Sequence, residues 1–282
     1  MIQTIAARMA RTSTLTKMRI ERARLMDRLH RARSLSRRNE VITIHPPRVR
    51  AFLKVSTARG YPLASFWELG QHIQQENLET LIRIFLFYQQ NPAFAGTPSI
   101  SDCPTIELIE DISVYHSAKA VFRAPSNPSG IGGLYRETIR CTPKWKTSGV
   151  TAPRRDCILL ETGSDMAGVK GLDVARVHLF FSFALGEEIF ECALVHEFCK
   201  SFTDPDPDNN LWIFEPDYSN DEHGRVMSVV HVDSIVRAAH LLPVFKNDTP
   251  IPREIDFTKT LDVFKAFYLN KYIDYHSFET LT

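Results

Sequence analysis

Nowhere in this chain do about 18 apolar side chains follow one another, the length a helix needs to cross a bilayer. The longest apolar-rich run is Leu179 to Leu185, so a soluble chain is expected. Its five cysteines (Cys103, Cys141, Cys157, Cys192, Cys199) are odd in number and never stand as C-x-x-C, which argues against a disulfide framework and a zinc knuckle. They read as buried or idle thiols in a reducing compartment. Sequence motifs for common chemistry are missing too. No G-x-S-x-G serine elbow occurs, and His196-Glu197 does not continue into H-E-x-x-H because position 200 is Lys. Gly130-Ile-Gly-Gly133 has neither the spacing of a dinucleotide fingerprint nor a following Lys-Ser/Thr, and it precedes a strand; a structural turn is the expectation. An apolar content of 44% excludes a collagen-like fibre and a wholly disordered chain.

An excess of charge of one sign is also lacking, with 34 Lys/Arg against 33 Asp/Glu over 282 residues, but that balance conceals a division. Residues 1 to 60 hold 15 Lys/Arg and 3 acids, a net of +12, so residues 61 to 282 carry a net of −11. Residues 3 to 36 have no Gly or Pro and are rich in Arg, Ala, Leu and Met, all good helix formers. Leu15, Met18, Leu25, Leu29 and Ala32 recur at three- and four-residue steps, which predicts a basic amphipathic helix. Two readings are open: an arm lying on nucleic-acid phosphates through Arg19, Arg22, Arg24, Arg28, Arg31, Arg33, Arg37 and Arg38, or a solvated connecting helix whose stripe packs on a neighbour. The first twenty residues, with four basic and no acidic side chains, also have the look of a mitochondrial presequence. Against that, the basic pattern continues past the usual cleaved length.

The expected fold is α+β. A basic helical arm (1–44) precedes a small helical subdomain and linker (45–104), in which two or three short helices occupy residues 48 to 91. A β-rich, barrel- or sandwich-like domain of about seven short strands follows (105–282), with a short C-terminal helix and an aromatic tail. The strands are read at 117–124, 137–145, 157–161, 174–185, 188–198, 211–215 and 226–235. The clearest hairpin reverses at Gly186-Glu187, with Val177, Leu179 and Phe181 on one face of its first strand and His178, Phe180 and Ser182 on the other. The tail residues Phe267, Tyr268, Tyr272, Tyr275 and Phe278 are expected to fold back on the body.

Asp204, Asp206, Asp208 and Glu215 reproduce positions 1, 3, 5 and 12 of a calcium-binding loop. Asn209 stands where that loop wants Gly, two prolines stiffen it and strands flank it, so an acidic surface turn is the plainer reading. His196, Glu197, His231, Asp233 and His240 could be assembled into an acid/base or metal site, although no spacing requires it and a hydrogen-bonded structural histidine is the commoner case for a residue such as His231.

The run from Phe122 to Trp145, with Gly171–Val177, Ala193–His196, Val232–Val244 and Asp262–Tyr272, resembles a protein type expanded in fungal genomes. These proteins are similar to the C-terminal portions of large DNA-transposon-encoded proteins of the Plavaka and Kyakuja-Dileera-Zisupton kind, and the resemblance spans about residues 45 to 280. It implies a detached C-terminal piece of a longer parent, whose Met1 need not be the ancestral start. It marks Gly130, Gly132, Gly133, Asp173, Arg176, His196, Asp233, Arg237 and His240 as signature positions without roles. The acidic catalytic triad of such transposases is not assignable here.

The expectation is therefore a non-catalytic accessory or binding module of a transposon-derived protein, a binder rather than an enzyme, with no cofactor. DNA or RNA would be held by the arm, a protein or chromatin partner by the β-rich domain, with no membrane involved, in the nucleus or cytoplasm. The alternatives are a metal-dependent hydrolase or nuclease working through Asp204, Asp206, Asp208 and Glu215 or the His196 neighbourhood, and a folded remnant without selected activity.

Overall fold

The computed structural model describes residues 52–55, 65–92, 94, 96–106, 109–124, 134–147, 150–162, 166–218, 224–245, 255 and 258–282. The basic arm and Gly130, Gly132 and Gly133 lie outside these residues.

The first helices form where the sequence provides starts and apolar faces. Helix α1 (Phe66–Ile73) opens at Ser65, whose hydroxyl accepts from the Glu68 amide at 3.2 Å, and presents Phe66 and Leu69 inward. It stops at Gln74, which adopts left-handed φ +58. The Gln75 amide then donates back to the Gly70 carbonyl at 2.8 Å. A Cβ on Gly70 would sit 2.8 Å from the Gln75 carbonyl oxygen, so the close turn requires glycine. Helix α2 (Leu78–Gln90) buries Leu78, Ile82, Phe85 and Leu86, spaced i, i+4, i+7, i+8.

Thirteen strands occur among the described residues, and the fold is α+β as the sequence implies. A small sheet runs β1 (Phe52–Val55), β3 (Ser117–Arg123), β4 (Leu134–Thr147), β5 (Val150–Arg155). The large sheet follows the order β11 (Ile235–Ala239), β6 (Cys157–Glu161), β7 (Leu172–Leu185), β8 (Glu188–Lys200), β9 (Trp212–Pro216), β13 (Phe267–Leu269), β12 (Leu241–Pro243), a nearly closed barrel-like path of seven strands. Strand β10 (Met227–His231) pairs with β8, and β2 (Ile109–Tyr115) with β7. Two corners join the sheets. At His116, between β2 and β3, the carbonyl accepts from the Cys141 amide at 2.9 Å. At Asp156, between β5 and β6, the amide donates to the Arg140 carbonyl at 2.8 Å and the carbonyl accepts from the Val177 amide at 3.0 Å. The Asp156 carboxylate also accepts from the Arg140 amide at 2.8 Å, so one short side chain satisfies the backbone where the chain changes sheets.

Three apolar clusters fill the body. The first lies between the sheets, where Ala118, Ala120, Phe122 and Ile139 meet Ile158, Leu160, Ala175, Val177, Phe180, Ala193 and Val195. The alanines of β3 have little side chain to hold the sheets apart. In the second, α1 and α2 cover Leu179, Phe181, Phe183, Phe190, Cys192 and Leu194. There Phe66 meets Phe181 and Phe183 edge-on, with centroids 6.0 and 5.4 Å apart. The third joins Leu159, Val174, Phe198, Phe214, Phe267 and Leu269 with Phe264 and Leu281. Helix α3 (Thr260–Val263) precedes Phe264, and α4 (Tyr275–Leu281) supplies Leu281.

Several details depart from the sequence reading. Residues 52–55, read as helical, form β1. The run 226–235 is two strands split by a 3-10 turn at Val232–Ser234, and Phe267 begins a strand instead of extending a helix. In the β7–β8 hairpin Val177 pairs with Val195 and Leu179 with Leu194, leaving His178 as an extra, bulged residue. The bulge reverses the phase, so Val177 and Phe180 face the inter-sheet cluster while Leu179 and Phe181 face the helices. Both hairpin faces are covered. The aromatic tail folds back only in part: Phe267 is buried, but Tyr272, Tyr275 and Phe278 remain exposed.

Candidate functional site

The helix-facing surface of β7 and β8 is apolar at both ends and polar in the middle. Val174 and Phe198 belong to one apolar cluster, Leu179, Phe181, Leu194 and Cys192 to another. Between them stand Arg176, the bulged His178 and His196; the charges of Arg155 on β5 and of Arg225, in the bridge with Tyr218, act on His178, and that of Arg225 on His196 also. Arg176 is 4% exposed, and its Nη1 donates to Asp262 Oδ1 at 2.8 Å; Arg225 donates to the same oxygen. The chain thereby ties α3 to the hairpin across 86 residues of sequence.

The electrostatics of this notch are lopsided. Burial works against ionisation of Asp262, but Arg176 and Arg225 overcome it and hold the carboxyl below its usual range. Burial lowers the Arg155 pKa, and the charges of Arg176 and Arg225 lower it further. Asp262 forms ion pairs with Arg176 and Arg225. Burial, then the three arginines, push His178 down to about 2. His196 is pushed to about 4, mainly by burial, with the Asp217 carbonyl opposing and Arg225 and Arg176 adding to the shift. Both rings are neutral at pH 7, their centroids 6.4 Å apart and edge-on. His196 Nε2 lies 3.0 Å from the Asp217 carbonyl oxygen, which can only accept, so Nε2 carries the proton and Nδ1 a lone pair. Three buried atoms here have no hydrogen-bond partner among the described residues: Arg176 Nε, His178 Nε2 and His196 Nδ1. Burial pushes the Cys157 thiol, paired with Arg176 across the sheet, up to about 12, and Cys141 likewise, so neither is a thiolate nucleophile.

Of the positions singled out in the sequence, Arg176 and His196 come together in this notch and the others are dispersed. Arg237 forms a separate lock. Its guanidinium grips Asp274 bidentately at 2.9 and 2.7 Å, donates to Glu137 at 3.2 Å and His276 Nδ1 at 3.1 Å, and lies 4.9 Å from the Phe122 ring centre. Asp173 pairs with Lys200 at 3.7 Å. The Asp233 amide donates to His231 Nδ1, and Asn270 Nδ2 donates to His240 Nδ1. Glu197 accepts from Ser228. His178, Arg155, Arg225 and Asp262 were not singled out as candidates. The available signal was two polar residues, Arg176 and His178, within the otherwise apolar Val174–Phe181.

The calcium-loop reading does not assemble. Asp206 accepts from the Asp208 amide at 2.9 Å and from the Tyr268 hydroxyl at 2.9 Å; Asp204 is exposed and lies 3.8 Å from Lys170; Glu215 projects from β9 as an exposed residue. Among the described residues no three His, Cys, Asp or Glu side chains converge as a metal site. No helix among them is long and apolar enough to cross a membrane. No protein-family model, curated protein or solved structure matches the chain.

Proposed function

We propose that this chain is a non-catalytic accessory module of a transposon-derived protein, located in the nucleus or cytoplasm, whose basic N-terminal segment holds DNA or RNA. The observation that carries the reading is the segregation of charge: +12 in residues 1 to 60 and −11 in the remainder. A folded body of net negative charge is a poor polyanion binder, so the basic segment supplies the attraction. The body has its own core in three clusters running from Phe66 to Leu281, which suits it to act as a platform to which a charged segment is attached. Its exposed Tyr272, Ile273, Tyr275 and Phe278 offer a protein or chromatin partner an apolar surface.

The test replaces Arg19, Arg22, Arg24, Arg28, Arg31, Arg33, Arg37 and Arg38 by Gln in the full chain and titrates both proteins against duplex DNA and single-stranded RNA. The wild type should bind and the variant should lose affinity by at least about a hundredfold. Equal affinity would remove the segment from the account.

A further inference from the structure

One apolar surface of the body and one apolar stripe of the sequence match each other in kind and place. The surface lies on α4 and just before it. Tyr272, Ile273, Tyr275 and Phe278 are 45 to 67% exposed, together about 400 Å² of largely apolar surface, the size at which a patch on a single chain marks a docking site. The rings of Tyr272 and Phe278 lie 6.0 Å apart, with the Lys271 ammonium 5.5 and 5.8 Å from their centres. The other side of α4 faces the body: Ser277 and Leu281 are buried, and His276 stacks on Phe122 at 4.2 Å.

The stripe belongs to the expected N-terminal helix, which lies outside the described residues. At 3.6 residues per turn, Leu15, Met18, Leu25, Leu29 and Ala32 fall within an arc of about 100°. Between positions 15 and 32, Arg22 is the one charged residue inside that arc; Arg19, Arg24, Arg28 and Arg31 fall outside it. An arginine within an apolar stripe is better received by rings than by aliphatic side chains, because its guanidinium stacks on an aromatic face. Charge draws segment and body together, +12 in residues 1 to 60 against −11 in the rest, and Glu279, exposed on α4, stands beside the aromatic surface. The point of attachment selects the place. Phe52 of β1 pairs with Val121 of β3, the neighbour of Phe122, so the N-terminal segment joins the body beside the ring on which α4 rests its His276. A flexible link from Ala32 to Phe52 spans roughly 25 Å on average, short enough to hold the stripe near α4 at high local concentration.

We propose that residues 15–32 form a helix that docks its apolar stripe on Tyr272, Ile273, Tyr275 and Phe278 of the same chain, with Arg19, Arg24, Arg28 and Arg31 outside the contact. The inference rests on the amphipathic helix expected from the sequence and not on its holding nucleic acid. A protein partner that uses the same surface has to displace the helix.

The test is hydrogen–deuterium exchange of the full chain, read by mass spectrometry without nucleic acid. The body variant carries Tyr272→Ser, Tyr275→Ser and Phe278→Ser, all at exposed side chains, so β7 should stay as protected as in the wild type. Amides of residues 15–32 should exchange at least about tenfold more slowly in the wild type than in this variant. Reciprocally, Leu25→Asp with Leu29→Asp should speed exchange at residues 272–278. Equal exchange of residues 15–32 in the wild type and the body variant overturns the proposal. Protection that rises with protein concentration overturns it too, because the helix then sits on a second copy. Should the body variant not fold, the variant with Leu25→Asp and Leu29→Asp decides: faster exchange at residues 272–278 supports the contact, and unchanged exchange there overturns it. Because nucleic acid takes no part, a failure of docking is distinguished from a failure of DNA or RNA binding, which the titration of the eightfold Arg→Gln protein reads.

Discussion

Among the described residues two arginines are almost completely buried, and their surroundings give them different tasks. Arg237, 3% exposed, is surrounded by Asp274, Glu137, His276 and the face of Phe122, so its charge is matched and it pins α4 to both sheets. Arg237→Leu should lower stability by about 3–5 kcal/mol, because Glu137 and Asp274 lose their counter-charge; chemical denaturation measures this. Arg176 shares its single carboxylate with Arg225 and sits beside two neutral histidines. Those histidines make stability depend on pH in a definite direction. Their folded pKa values, about 2 and about 4, lie below the unfolded value of about 6.5, so the unfolded chain takes up protons first as pH falls. The stability contribution is complete above pH 6.5 and is lost below it, toward pH 4 for His196 and further for His178, at about 1.4 kcal/mol per pH unit for each ring. His178→Asn and His196→Asn should each flatten the fall in Tm between pH 7 and 4.5. Curves parallel to wild type would show that the rings are not held neutral.

At the scale of elements, the features easiest to read in the sequence were those decided locally. Cys157–Glu161 is a continuous apolar run bounded by turns and is a strand with those bounds, and Gly186 with φ +62 makes the two-residue reversal between β7 and β8. Strand β5 was missed because Val150–Arg155 carries Pro153 and two arginines, the composition of an edge strand, and β12 and β13 because three residues show no period. The bulge at His178 could not be seen, since phase reversal is recorded only in the pairing with β8. For the same reason the notch was half-legible. Arg176 and His196 lie on strong strand patterns, whereas Asp262 joins them from 86 residues away, beyond the reach of any spacing argument. Helix packing gives a sharp test at this scale. Gly70→Ala places a methyl 2.8 Å from the Gln75 carbonyl oxygen and should cost about 1–3 kcal/mol, whereas alanine at an unobstructed helix position would stabilise. An unchanged or raised Tm would show that the α1–α2 connection is not closely packed.

Considered whole, the molecule joins two bodies of charge that nearly cancel, and its overall balance of +1 describes neither. The folded part buries three apolar clusters, yet leaves an apolar surface at Tyr272–Phe278. The residues from 61 onward carry a net of −11, so on the proposed reading affinity for nucleic acid comes through the basic N-terminal segment and carries the signature of counterion release. The most direct measurement is the affinity of the full chain for duplex DNA as a function of salt concentration, beside that of the eightfold Arg→Gln protein. Engagement of about six phosphates predicts a log–log slope near about −5 for the wild type and close to zero for the variant. A shallow slope for the wild type, or the same slope for both, would contradict the assignment of nucleic-acid binding to this segment.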